Sequence, residues 1–245
     1  PDTITELPMF MLQNNQYLKK AVIPGSVTLV NYGAFQNCVL EEVIFEDADS
    51  TILIDSSAFE NCANLKSVRL PEGLVGIGNS AFENCVSLES IALPDSVYSL
   101  GNYTFMNCSS MKECKLSKKL SYLSSAMFLG CSSLEELNLP AGVRTLGTLE
   151  TADAFENTSS LKAVNVDPNN RYLKSVDGVV FDSNGKTLRL YPMAKTGTTY
   201  TIPEGVTRIG SYAFAQNPSL VRVTLPSTLE RVGCYAFNAC ENLKT

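Results

Sequence analysis

Cysteine is the residue type in this chain best equipped for chemistry: there are eight, at positions 38, 62, 85, 108, 114, 131, 234 and 240. Thiols close disulfides, hold zinc or, as thiolates, attack electrophiles, and each use makes a demand on the rest of the chain. Histidine is absent, so no Cys/His or Ser/His/Asp arrangement can be assembled and no imidazole is available to ligate a metal or activate a thiol. No Cys-x-x-Cys pair occurs, and Cys108/Cys114 and Cys234/Cys240 are each six residues apart, unlike the paired ligands of a structural zinc site. Glu46, Asp47, Asp49 and Asp55 offer oxygen ligands for calcium but lack the glycine and terminal glutamate of an EF-hand loop. Asp182-Ser183-Asn184-Gly185 opens like a calcium loop, yet an Asn-Gly turn explains it. No pair of carboxylates stands out for acid–base hydrolysis. The expectation is a non-enzymatic chain with no cofactor and no metal.

Charge narrows the partners. With 19 Lys and Arg against 25 Asp and Glu over 245 residues, the chain lacks the basic excess that neutralising phosphates requires, so no nucleic-acid partner is expected. No run of eighteen apolar residues occurs, so no membrane insertion is expected in this segment. The chain opens at Pro1 without a start methionine or leader-like stretch, which reads as a trimmed chain and says nothing about export.

The elements that position the cysteines are repeats. Phe35, Phe59, Phe82, Phe105, Phe128, Phe155, Phe214 and Phe237 occupy equivalent places, most of them 23 residues apart. The clearest unit runs Leu74, Ile77, Ala81, Phe82, Cys85, Leu88, Ile91, Leu93, Pro94. A weaker first copy puts Leu12 in place of the Phe, giving about nine coils, the last cut short at Thr245. Each unit ends in a short strand such as Leu65 to Leu70, while Ala58-Phe59 suits a tight helical turn and Val206-Ile209 a lesser strand on the opposite side. Pro71, Pro94, Pro140 and Pro226 end the strands, since proline supplies no N–H to a ladder. One such unit cannot bury its own Phe and Leu, so stability must come from stacking coil on coil.

The pattern Val-x-x-Ile-Gly-x-x-Ala-Phe-x-x-Cys-x-x-Leu-x-x-Val-x-Leu-Pro, almost complete from Leu74 to Pro94, resembles the BspA-like subfamily of leucine-rich repeats over nearly the entire chain. The resemblance implies an α/β repeat, a right-handed β/α leucine-rich-repeat solenoid, with residues 1–245 as a single domain. It divides into repeats over 1–166, an inserted hairpin over 167–199 and repeats again over 200–245. It also implies a bacterial cell-surface or secreted adhesion module that binds a protein or other cell-surface macromolecule, of the host matrix or another cell. The alternative is an architectural spacer presenting a separate catalytic or binding domain.

Departures mark local geometry. The first full coil is one residue short between Cys38 and Val43, the sixth carries about four extra residues around Thr148 to Thr151, and Thr158 and Asn217 replace the cysteine. The 59 residues from Phe155 to Phe214 hold about 36 beyond one period. There, Tyr172, Val176, Val179, Val180 and Phe181, then Asn184-Gly185, then Leu188, Leu190 and Tyr191 read as a β-hairpin protruding from the solenoid. Similar hairpin segments, with Asp177-Gly178 before the apolar strand and Tyr191-Pro192 after it, recur in proteins of the family that this chain resembles.

Within the repeat, Cys38, Cys62, Cys85, Cys108, Cys131 and Cys240 share one inward position, so they read as a row of buried thiols acting as small hydrophobes. Parallel stacking leaves their β-carbons about 5 Å apart, beyond the spacing a disulfide prefers. Asn37, Asn61, Asn84, Asn107 and Asn157 recur just ahead of that position, where their amides suit the capping of backbone groups in each turn. Asn102, Asn107 and Asn157 also fit the N-glycosylation acceptor sequence, a short match that chance often supplies. For a macromolecular partner the candidate surface is the concave sheet, whose outward positions are Lys20, Glu42, Ser67, Arg69, Ser90, Glu113, Lys115, Glu136, Asn138, Asn165, Arg222 and Thr224. They carry mixed charge and no aromatic stripe, and ordinary solvated strand residues would look the same.

Overall fold

The computed structural model describes residues 3–47, 50–147 and 153–244. Among them run nineteen short strands: β1 (Glu6–Leu7), β2 (Lys20–Ile23), β3 (Leu29–Val30), β4 (Glu42–Phe45), β5 (Ile52–Ile54), β6 (Ser67–Arg69), β7 (Leu74–Ile77), β8 (Ser90–Ala92), β9 (Ser99–Leu100), β10 (Glu113–Lys115), β11 (Glu136–Leu139), β12 (Ala163–Val166), β13 (Leu173–Val176), β14 (Val179–Asp182), β15 (Thr187–Leu190), β16 (Thr199–Thr201), β17 (Arg208–Ile209), β18 (Arg222–Thr224) and β19 (Arg231–Val232). They form two rows. The first holds the parallel ladders β2-β4-β6, β8-β10, β11-β12 and β16-β18, and the second holds β1-β3-β5-β7-β9, a parallel bridge between Leu123 and Leu146, and β15-β17-β19. Partners stand about one period apart, as Val43 does opposite Val68 and Ile91 opposite Cys114. The repeat is therefore a stack of coils, each giving a strand to both rows.

The helices expected of an α/β repeat are absent among the described residues, where a single 3-10 turn, Asp153–Phe155, is all that is helical. The fold is an all-β solenoid, and the backbone shows why. Two positions in most turns, two residues before and two after the Phe, adopt left-handed φ: Gly33 and Asn37 around Phe35, Ser57 and Asn61 around Phe59, Ser80 and Asn84 around Phe82. Left-handed residues interrupt a right-handed helix. The N–H groups alternate accordingly. Those of Gly33, Phe35 and Asn37 donate to Ser56, Ala58 and Glu60 of the next coil, while those of Ala34, Gln36 and Cys38 donate three residues back. A helix would spend every N–H within its own segment, whereas this turn gives half of them to its neighbour.

The recurrent asparagines serve this geometry differently from the expected caps. Asn tolerates left-handed φ better than other non-glycine residues, and the side chains bond one another: the amide of Asn37 donates to Asn14 at 2.9 Å, Asn61 to Asn37 at 2.8 Å, Asn84 to Asn61 at 2.7 Å and Asn107 to Asn84 at 2.8 Å. The ladder stops at Gly130, where a β-carbon would stand 2.3 Å from the Asn107 Oδ1. Capping falls instead to Asn15 and Asn217, at the cysteine position, whose Oδ1 atoms accept the N–H groups of residues two and three further on.

The insert does not protrude. Its three strands form an antiparallel meander, β13-β14-β15, and β15 pairs in parallel with β17 as a second-row strand. Both faces of β14 and β15 are covered: Leu173 of β13, Val180 and Leu190 belong to one core and Val179, Phe181, Leu188 and the adjoining Tyr191 to another. This accounts for the unbroken apolar run Val179-Val180-Phe181, since a strand buried on both sides loses the usual alternation. The tip between β13 and β14 is the two-residue turn Asp177-Gly178, with φ of 51° and 75°, the conformation that Asp-Gly favours in a hairpin. Gly178 docks on β12 so closely that a β-carbon would lie 2.6 Å from that of Ala163. Lys195 fastens the tip, its Nζ donating to the Asp177 carbonyl at 2.6 Å and carboxylate at 2.7 Å.

After the meander the chain completes a disguised coil. Tyr191 stands 23 residues before Phe214, stacks on it at 5.0 Å, and donates its N–H to Ala213 as the phenylalanines do to their neighbours. Counting Tyr191 gives ten coils in place of nine and leaves about 13 inserted residues where 36 were expected. The extra residues at Thr148 to Thr151 lie outside the described residues.

Candidate functional site

All eight thiols are free. Those of Cys62, Cys85, Cys108 and Cys131 each donate to the carbonyl of the phenylalanine one coil back, at 3.1 to 3.2 Å. The row is thus a hydrogen-bonded ladder as well as apolar filling. Burial pushes the Cys62 and Cys131 thiols up to about 12 and those of Cys85, Cys108 and Cys114 well above their ordinary value, so these five stay protonated and unreactive near neutral pH. Of the acidic candidates, Asp47, Asp55 and Asp182 are engaged, and Glu46 has no side-chain partner among the described residues. Asp47 accepts from Arg69 through both oxygens, Asp55 accepts from the Ser56 N–H, and Asp182 pairs with Arg189 at 2.6 Å. Asp49 lies outside the described residues.

What remains is the face read from the sequence as concave. All twelve of its predicted residues fall on first-row strands: Lys20 on β2, Glu42 on β4, Ser67 and Arg69 on β6, Ser90 on β8, Glu113 and Lys115 on β10, Glu136 and Asn138 on β11, Asn165 on β12, and Arg222 and Thr224 on β18. Ten are exposed, and Glu42 and Asn165 are partly so. Alternation produces this, because the intervening Ala21, Val43, Ile91, Cys114, Leu137, Val164 and Val223 are buried.

Along and beside this face many charges are matched between coils. Lys20 pairs with Glu42 at 2.8 Å, Arg69 with Asp47 at 2.9 Å and Lys112 with Glu89 at 3.6 Å. Glu41 lies between Lys19 and Lys66, and the hydrogen bond and charge of Lys19 together with the charge of Lys66 hold its carboxyl below the usual value. Asp95 and Lys118 meet at 2.9 Å, which lowers the one and raises the other. Such exposed pairs contribute little each to stability, but they leave few free charges.

The exception is the seam between β10 and β11. These strands are neighbours, yet, as at the seam between β6 and β8, each ladders only to its other side, β10 to β8 and β11 to β12. A groove of about 470 Å³ opens there, floored by Cys114, Leu116 and Leu139 and rimmed by Glu113, Lys115, Lys118, Glu136, Asn138 and Asn165. The side chains of Glu113 and Lys115 have neither an ion-pair nor a hydrogen-bond partner among the described residues. Five predicted residues meet in this groove; Lys20, Glu42, Ser67, Arg69, Ser90, Arg222 and Thr224 lie outside it. Pro140, Asp167 and Pro168, which also line it, were missed as site residues, although prolines ending a strand were a readable signal.

The BspA type leucine rich repeat region matches in six copies, over residues 1–53, 45–162 and 193–245. The unmatched stretch, 163–192, holds β12 and the meander. Among solved structures, a leucine rich cell surface protein of Faecalibacterium prausnitzii superposes with a TM-score of 0.84 at 26% identity, over 98% of this chain and 64% of its own. The pneumococcal vaccine antigen PcpA superposes at 0.73 with 27% identity, over 99% and 56%. A leucine-rich repeat protein of Bacteroides ovatus, 21% identical, shares the fold at 0.70 over 98% and 69%. The chain therefore spans less than two thirds of the first two. No curated protein matches it.

Proposed function

Since the chain belongs to the BspA-type leucine-rich-repeat family, we propose that it is a binding module of a bacterial surface or secreted protein, holding a protein of another cell or its matrix on the first-row face. The carrying observation is the seam groove. On a face whose charges are largely spent on one another, it joins a cavity of about 470 Å³ to Glu113 and Lys115, which are unpartnered among the described residues. An open polar rim with two unpartnered charges around an apolar floor is the composition of a small interface centre. The descriptions of the solved neighbours, a cell surface protein and a vaccine antigen, support exposure to other cells. A net charge of −6 disfavours nucleic acid, and among the described residues no helix is long and apolar enough to cross a membrane.

The test is binding of the 245-residue chain to immobilised matrix proteins, mucin and host cells. Saturable binding to one of them is expected, weakened at least tenfold when charges are exchanged by Glu113→Lys with Lys115→Glu, with the melting temperature unchanged. No saturable binding, or binding indifferent to the exchange, contradicts the proposal. The cross-paired charges of the remaining face favour the second reading, a stiff spacer for another domain, which is what silence on every surface would support.

A further inference from the structure

The meander carries a second cavity, away from the first-row face. β13 is the edge strand of its sheet, and Lys174 and Val176 stand opposite Phe181 and Val179 in register, so all four share the face turned to the second core. The core does not reach the end of that face: Phe181 and Val179 are buried, while Val176 is 58% exposed. A cavity of about 280 Å³ lies there, with Phe181 and Val206 at its base, Val176 and Pro203 on its wall, and Lys174 and Lys186 on its rim.

The lysines are its distinguishing feature. Seven lysines of the chain, Lys19, Lys20, Lys66, Lys112, Lys118, Lys162 and Lys195, sit in ion pairs. Lys174 and Lys186, like Lys115, Lys119 and Lys244, do not, and the side chain of neither has a hydrogen-bond partner among the described residues. They are brought together nonetheless. The Lys174 ammonium reaches from β13 to the β14–β15 turn, where a β-carbon on Gly185 would lie 2.9 Å from it, beside Lys186. One carboxylate, Glu204, also lines the cavity and is held by the Ser227 N–H and hydroxyl, so the two lysines outnumber it by one charge, while Asp182 holds Arg189. Two like charges with free donors over an apolar base leave room for an anion with an apolar body.

We propose that this cavity binds a small organic carboxylate, its carboxylate between Lys174 and Lys186 and its aliphatic part against Phe181, Val206 and Val176. The geometry assigns the lysines to the charge and the base to the body, so both halves of the ligand are needed. Hexanoate is the probe, with acetate lacking the body and hexanol lacking the charge, titrated into the 245-residue chain by calorimetry or by chemical-shift changes at Val176 and Val206. Saturable hexanoate binding is expected, at least tenfold tighter than acetate or hexanol, weakening as salt rises. Lys174→Glu with Lys186→Glu should abolish it while the far-UV spectrum and melting stay unchanged. Were that pair to unfold the chain, Lys186→Gln alone should weaken binding about threefold or more. Absence of saturable binding, equal affinity for acetate or hexanol, or binding that survives loss of the lysines overturns the proposal.

Discussion

Two stretches of the stack, before and after the meander, solve the same packing problem with different thoroughness. Before it, Phe35, Phe59, Phe82, Phe105, Phe128 and Phe155 form one column of stacked rings. The column is backed by the thiol ladder and the asparagine ladder in one core. The ring spacing widens along it, from 5.1 Å at Phe35–Phe59 to 6.1 Å at Phe128–Phe155. After the meander a shorter column, Tyr191, Phe214 and Phe237, stacks at 5.0 and 4.9 Å in a separate core. Here Asn217 takes the thiol's place, and Gln216 reaches past the disguised coil to bond Asn157 across the break. Redundant cross-coil ladders make the first stretch uniform; the second depends on fewer contacts and on the meander beneath it.

The largest contrast should come from the rings. Phe82 is fully buried between Phe59 and Phe105, so Phe82→Ala should cost about 3–5 kcal/mol. Phe237 is partly exposed with one ring neighbour, and Phe237→Ala should cost about 1–2 kcal/mol by the same cavity reasoning. Urea melts of the two variants measure the difference, and equal losses would remove the distinction.

Alkaline pH should act next, and on the first stretch. Its buried thiols favour the neutral form, so their folded values lie above the ordinary 9.0. The stability they contribute is complete below 9 and is lost as pH rises from 9 toward about 12. At pH 10, Cys62 and Cys131 alone should remove roughly 3 kcal/mol, taking about 1.4 kcal/mol per unit for each group. Melting followed between pH 8 and 10.5 should show this decline, and a flat profile would contradict it. A smaller effect is expected of Asn84→Ala, which deletes two ladder bonds and places alanine at φ 59°. Its cost should be about 2 kcal/mol, whereas the exposed Asn238→Ala should change little in the same melts.

Most of this architecture was readable because each buried position recurs. The Phe spacing set the coils, the alternation set the exposed face, and the shared position of Cys38 to Cys131 set the buried row. The absent helices were not readable from type alone, since Ala58-Phe59 suits a helix and only the left-handed Ser57 and Asn61 forbid one. The coil at Tyr191 was hidden because Tyr191 and Tyr200 replace the usual Phe and Val, and Pro192 follows. The hairpin was read at Asn184-Gly185, whereas the turn at Asp177-Gly178 was seen only as a recurring segment, and what it docks against depends on Ala163, outside the insert. The seam at β10 and β11 has no local signature at all, for it is a ladder that does not form.

The central claim is that β14 turns one side to each core. Amide hydrogen exchange on the chain with Val180→Ala and, separately, with Phe181→Ala tests it directly. Val180 packs in the first core and Phe181 in the second, so the first change should speed exchange in β11 and β12 and the second in β17 and β18. If both changes loosen the same strands, the partition described here is wrong.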